Sequence, residues 1–143
     1  MRKNLAVEEL GDLLDLPLVA VLATYRSDGT VLLSPVWHEY RDGGFNVTTF
    51  ENDVKVRHLR RDHRAAMVVA EALPPFRGVE IACEATLVHD GSHEAVRRMA
   101  IRYLGEEKGH AYAESVPVSI IVRLEPGRLR TWDFRDDWAS VGS

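Results

Sequence analysis

The chain has 143 residues, 45% apolar and 28% charged, a balance that suits one globular domain over residues 1–143 and leaves no apolar run long enough to cross a bilayer. Its formal charge of −4 and pI near 5.8 argue against a general polyanion-binding surface, so nucleic acid is not an expected partner. Six scattered histidines without zinc spacing and a lone cysteine, Cys83, in an apolar run point to neither a metal site nor a disulfide.

The basic start, Met1-Arg2-Lys3-Asn4-Leu5, leads into an acidic amphipathic segment and not into a signal-peptide core, so cytoplasmic residence is expected. Residues 6–14 space Leu10, Leu13 and Leu14 as on a short amphipathic helix, and Pro17 punctuates its end. Residues 18–25 form a continuous apolar run, Ser27-Asp28-Gly29 is a turn signal, and residues 30–40 are strand-like, which together predict a hairpin. Arg41-Asp42-Gly43-Gly44 supplies the next turn before a strand over 45–50, so three strands follow one another in a meander. Glu51-Asn52-Asp53 breaks that strand. Residues 54–62 then predict a helix that buries Val56 and Leu59 and exposes Arg57 and Arg61.

A strand is predicted over 65–72, a break at Leu73-Pro74-Pro75-Phe76, and an alternating strand over 79–88 that puts Glu80 and Glu84 on one face. Ser92 is the predicted cap of a helix whose apolar positions are Val96, Met99, Ala100 and Tyr103, ending near Leu104-Gly105. Residues 106–115 are polar and carry no predicted element. Residues 116–124 read as a strand, Glu125-Pro126-Gly127-Arg128 as a turn, and residues 129–134 as the last strand. The fold class is therefore mainly β with inserted helices, closed or partly closed into an antiparallel barrel because closure removes exposed edges. The helix after the third strand would cover one barrel mouth. An open sandwich with helices on one side is the competing architecture.

The chemistry concentrates where the third strand meets the first long helix. Thr48 and Thr49 stand at the strand end, and Lys55 lies in the first helical turn, where free backbone N–H groups and the helix dipole favour an anion. Arg57 can reach the same anion from the next position. The alternative is a solvated helix face laced by Asp53, Asp62 and the arginines. Asp53 costs a phosphate favourable electrostatics unless it turns away or caps the helix. His38 and His58 are read as hydrogen-bonded structural histidines, and Ser34 has no nucleophile-elbow context.

The ordered segments Leu22-Ala23-Thr24-Tyr25-Arg26-Ser27-Asp28-Gly29, Ser34-Pro35-Val36-Trp37, Thr48-Thr49 and Lys55-Val56-Arg57-His58-Leu59-Arg60-Arg61-Asp62-His63-Arg64 resemble the pyridoxamine-phosphate-oxidase-like split-barrel flavoproteins. Within them, the chain looks most like the small reductases that use the deazaflavin coenzyme F-420. The resemblance runs from about Leu16 to Trp132 and implies a six-stranded antiparallel split β-barrel. It also implies a homodimer with cofactor grooves at the interface. By that likeness Lys55 holds the phosphate, Arg57 stands beside it, Ser34, Pro35, Val36 and Trp37 line the ring, and Thr48 and Thr49 lie near the phosphate and side chain. Asp53, His58 and His63 depart from the usual arginine, asparagine and proline. The implied activity is hydride transfer from reduced F-420 to a small conjugated acceptor. An FMN-dependent oxidoreductase of the same family is the alternative. A non-catalytic carrier of a flavin or small tetrapyrrole is a third. The chain lacks, after Trp132, the arginine-tryptophan extension that the likeness associates with pyridoxal-phosphate oxidases, and Arg130 and Trp132 could meet a partner's groove or serve an ordinary interface.

Overall fold

The computed structural model describes residues 1–138. In chain order, β1 (Arg2–Lys3) precedes two 3-10 turns (Val7–Leu10 and Leu13–Asp15), then β2 (Ala20–Tyr25), β3 (Val31–Val36), β4 (His38–Arg41) and β5 (Gly44–Phe50). There follow α1 (Val54–Arg61), β6 (Arg64–Ala70), β7 (Gly78–Val88), α2 (Ser92–Leu104), α3 (Glu106–Ser115), β8 (Ser119–Leu124), β9 (Arg128–Asp133) and the short α4 (Arg135–Trp138). No helix among the described residues is long and apolar enough to cross a membrane.

Every strand pairing is antiparallel, and the order β3-β2-β6-β7-β8-β5-β4 is a ring. Its two ends are covalently joined, because β3 and β4 are one bent strand with only Trp37 between them. β3 pairs with β2 up to Val36, and β4 pairs with β5 from His38 onward, so the chain changes partners at that residue. Counting β3 and β4 together, six strands close the barrel, which is the split-barrel class expected. A second change of partners occurs along β7, which pairs with β6 over residues 78–84 on one edge and, on the other, with β9 over residues 78–82 and then with β8 over residues 85–88.

Alternation along the strands builds the core. Ala20, Leu22 and Thr24 of β2 point inward with Ala65, Met67 and Val69 of β6, and join Phe45, Val47, Ile81 and Leu124. Each large side chain buried this way contributes about 1.5–3 kcal/mol relative to exposure. α1 lays Val56 and Leu59 against the barrel beside β2 and β7, with Arg57 and Arg61 outside. α2 and α3 form a hairpin, with Ala95 and Met99 of α2 packed against Ile121 of β8. A bidentate pair from Arg98 to buried Glu39, 2.7 and 3.0 Å, ties α2 to β4, and Asn46 donates to the same carboxylate at 3.0 Å.

Several local expectations change. Residues 6–14 are two 3-10 turns, since Gly11 at φ 65 interrupts the helix between Leu10 and Leu13 while both leucines still reach the core. Ser92 is the first residue of α2 and does not cap it; Gly91 in the left-handed region holds the cap position. Residues 106–115 form α3, whose Gly109 permits close crossing, because a Cβ there would lie 2.5 Å from the backbone of Ile101. The segment 125–127 does not reverse the chain. β8 and β9 run in succession along β7, Leu124 opposite Ala85 and Arg128 opposite Ala82, so three residues face two and make a bulge.

Candidate functional site

The change of partners at Trp37 opens a split in the barrel wall. β4 pairs with β5 only as far as Val47, and β3 has already turned toward β2, so residues 48–50 lack a neighbour on that edge. The resulting cleft has a volume of about 270 Å³. One wall is Pro35, Val36 and Trp37, the other Thr48, Thr49 and Phe50, and the start of α1 supplies Asp53 and Lys55 at one end. Val96 of α2, Tyr112 of α3 and Val116 close the far side, and Val19 and Ser119 complete the rim.

Asp53 organises the polar end. It caps α1, its Oδ1 accepting from the Lys55 N–H at 3.1 Å. Its Oδ2 accepts from Lys55 Nζ and from Thr49 Oγ1, both at 3.0 Å. Partial burial pushes this carboxyl upward, but the hydrogen bonds from the Lys55 N–H, Lys55 Nζ and Thr49 outweigh it and hold the group below its ordinary value. The lysine side chain is only 15% exposed, so its amine is held in the cleft and not spread into solvent.

The apolar end is aromatic. Trp37 stacks on Tyr103 with centroids 5.1 Å apart and an interplanar angle of 8°, and Tyr112 meets it at 5.2 Å and 55°. The Tyr103 hydroxyl is fixed by donating to the Leu18 carbonyl at 2.6 Å. Trp37 is therefore held in place by Tyr103 on one face while it lines the cleft. Among the described residues Tyr112 is the tyrosine that lines the space, and no histidine lines it.

Six of the eight residues singled out from the sequence meet here: Pro35, Val36, Trp37, Thr48, Thr49 and Lys55. Ser34 does not; it is buried inside the barrel, opposite Leu22 in the β2 ladder. Arg57 is exposed on α1, and its side chain makes no hydrogen bond or ion pair among the described residues. Arg60 lies 3.9 Å from Glu51, and Arg61 donates to the Tyr25 carbonyl. His58 is buried against Thr24 Oγ1 at 3.0 Å, and desolvation, then Arg61, Arg26 and Arg57, lowers its pKa. His38 is fully buried, and desolvation followed by Arg102 lowers it to about 4. Arg130 lies over the Trp132 ring at 4.6 Å on β9, outside the cleft. Sequence reasoning read Val96 only as a packing position of its helix, and it missed Tyr112 because α3 has few apolar positions to reveal it; it raised Asp53 as a possible cap of α1, which the structure shows it to be.

The family model for pyridoxamine 5'-phosphate oxidase matches residues 6–133. A conserved hypothetical protein of Mycobacterium tuberculosis is similar in structure with a TM-score of 0.77 and 25% identity, over 94% of this chain and 88% of that one. A protein described as an F-420 reductase has a TM-score of 0.68 and 22% identity, over 82% and 93%. A heme storage protein of Vibrio cholerae has a TM-score of 0.68 and 15% identity, over 89% and 94%. The last two likenesses concern the fold alone. No curated protein matches the sequence significantly.

The residues of the cleft suit a phosphorylated tricyclic cofactor in donor type. Lys55 Nζ, the Lys55 N–H and the Thr49 hydroxyl converge at one end, and flat apolar groups form the other. The Asp53 carboxylate already pairs with the Lys55 amine at 3.0 Å.

Proposed function

Because the chain belongs to the pyridoxamine 5'-phosphate oxidase family, we propose that it is an oxidoreductase whose cleft holds reduced coenzyme F-420 and serves a small conjugated acceptor. The observation that carries this reading is the convergence of Lys55 and Thr49 at one end of the split with Pro35, Val36 and Trp37 along its wall. When bound, the deazaflavin supplies a hydride. The protein's own part is placement. Lys55 and Thr49 hold the phosphate, Val36 and Trp37 bound the ring, and Thr48 and Phe50 close the opposite side. Arg57, exposed two residues past Lys55 and with a side chain unpaired among the described residues, is available to the anionic tail of that coenzyme. The proton that follows hydride transfer would come from solvent or from the Tyr112 hydroxyl, the titratable group at the apolar end of the cleft. His38 has no such role, being sealed in the barrel and neutral above about pH 4.

The cleft is open on one side, and beside it lie exposed apolar residues, Val19 at 55%, Leu33 at 64% and Phe50 at 42%. A second copy of the chain seated there would cover them and complete the pocket, which supports a homodimer. FMN in the same cleft is the second reading, since Lys55 and Thr49 address a phosphate of either cofactor.

The test is titration of the purified protein and of Lys55→Gln with F-420 and FMN, followed by oxidation of the reduced cofactor over enones, quinones and biliverdin. Saturable F-420 binding that weakens about ten-fold or more in the variant, with turnover of an acceptor, is the expected result. FMN binding without F-420 binding overturns the cofactor assignment. Binding without turnover of any acceptor overturns the enzymatic reading in favour of a carrier.

A further inference from the structure

We infer that Asp53 sets the charge of the ligand this cleft accepts, favouring a phosphodiester monoanion over a phosphomonoester dianion. The inference rests on the reading of the cleft as a phosphate seat and goes beyond it by assigning a residue to the choice between the two cofactor chemistries. Three donors aim into this corner, the Thr49 hydroxyl, the Lys55 amine and the Lys55 N–H, and all three are engaged by the one carboxylate at 3.0, 3.0 and 3.1 Å. The seat therefore presents no net charge from Asp53 and Lys55 together. An incoming phosphate either displaces the carboxylate, losing the helix cap, or binds to the remaining N–H directions of Lys55 with a negative neighbour in contact range.

Where the carboxylate stays in place the penalty scales with the ligand's charge, whereas displacing it costs the same cap for every ligand. Coulomb energy is proportional to the product of the charges, so whatever factor Asp53 costs a monoanion, a dianion at the same place pays about its square. A terminal phosphomonoester such as that of FMN carries nearly two charges at neutral pH, with a second pKa near 6. A phosphodiester, as in the side chain of F-420, carries one. Arg57 does not cancel the penalty at the seat, because it is exposed on α1 and outside the cleft lining.

The experiment uses three ligands with one ring and one chain: riboflavin, the methyl ester of FMN and FMN itself, bearing none, one and nearly two charges. Their affinities are measured by flavin fluorescence and calorimetry for the wild type, Asp53→Asn, Asp53→Ser and Lys55→Gln, with F-420 as an additional ligand. Asparagine and serine both retain the helix cap while removing the charge, and circular dichroism checks that α1 persists. In both Asp53 variants riboflavin is expected to shift less than two-fold, the methyl ester to tighten roughly five-fold and FMN roughly 25-fold. Equal shifts for all three ligands, or none, with Lys55→Gln still weakening FMN and F-420, overturn the role of Asp53 and leave the phosphate seat intact. Wild-type affinities that Lys55→Gln does not change overturn the seat itself, and this inference with it.

Discussion

The buried histidine in the barrel makes the sharpest stability prediction. The Tyr103 hydroxyl has one proton, and it goes to the Leu18 carbonyl at 2.6 Å. The same oxygen therefore accepts from the His38 backbone N–H at 3.1 Å and from Nδ1–H at 3.0 Å. That fixes the neutral tautomer with the proton on Nδ1 and leaves Nε2 buried with no partner among the described residues. Desolvation, with Arg102 next, lowers this ring from 6.5 to about 4 in the folded protein. Since the folded value lies below the unfolded one, the unfolded chain binds more protons between these pH values. Stability therefore rises with pH and is lost as pH falls from about 6.5 toward 4. Between pH 7 and pH 5 the loss from this side chain is about 2 kcal/mol, or roughly 6–10 °C in Tm for a chain of this size. His38→Asn removes the titration while keeping an amide donor near the Nδ1 position. Urea unfolding of both proteins at pH 7, 6 and 5 isolates the effect, because the carboxylates common to both cancel in the difference. A wild-type-minus-variant stability difference that stays constant over that range would refute the reasoning.

Two further changes probe how the site is held. Gly109→Ala brings a Cβ to 2.5 Å from the Ile101 backbone, so α2 and α3 must separate; a loss of about 2 kcal/mol in chemical unfolding is expected despite alanine's better helix propensity, together with weaker cofactor binding as Tyr112 moves. Glu39→Gln removes the carboxylate that Arg98 grips at 2.7 and 3.0 Å. A cost of about 2 kcal/mol is expected, below that of a fully buried pair because Arg98 is 36% exposed, and a urea midpoint equal to the wild type would contradict it.

The strands themselves were legible because they follow local rules. Alternation marked β7, and Asp42-Gly43 marked the hairpin whose two central residues take φ 52 and 73. The buried stripe of α1 followed from helical spacing, and so did the position of Lys55 in its first turn. Six of the eight candidate site residues followed from this local order together with the family resemblance. Ser34 shares the inward face of β3 with Val36 but lies deeper in the β2 ladder, opposite Leu22, whereas Val36 stands at the point where β3 parts from β4.

What remained hidden depends on partners distant in the chain. Nothing in residues 106–115 announces α3, whose helix is stabilised by the close approach of Gly109 to α2 and whose Tyr112 then reaches Trp37. The bulge at 125–127 reads locally as a turn and becomes a bulge only because β7 is long enough to pair with strands on both sides of it. Asp53 could be seen to stand beside Lys55, but whether its carboxylate faced away or took the donors of the seat was decided by the orientation of the β5 end against α1. Propensity and spacing act over a few residues and so determined the strands and the helix start. The split itself arises where β3 and β4 exchange partners at Trp37, and pairing between strands is a property of the folded chain.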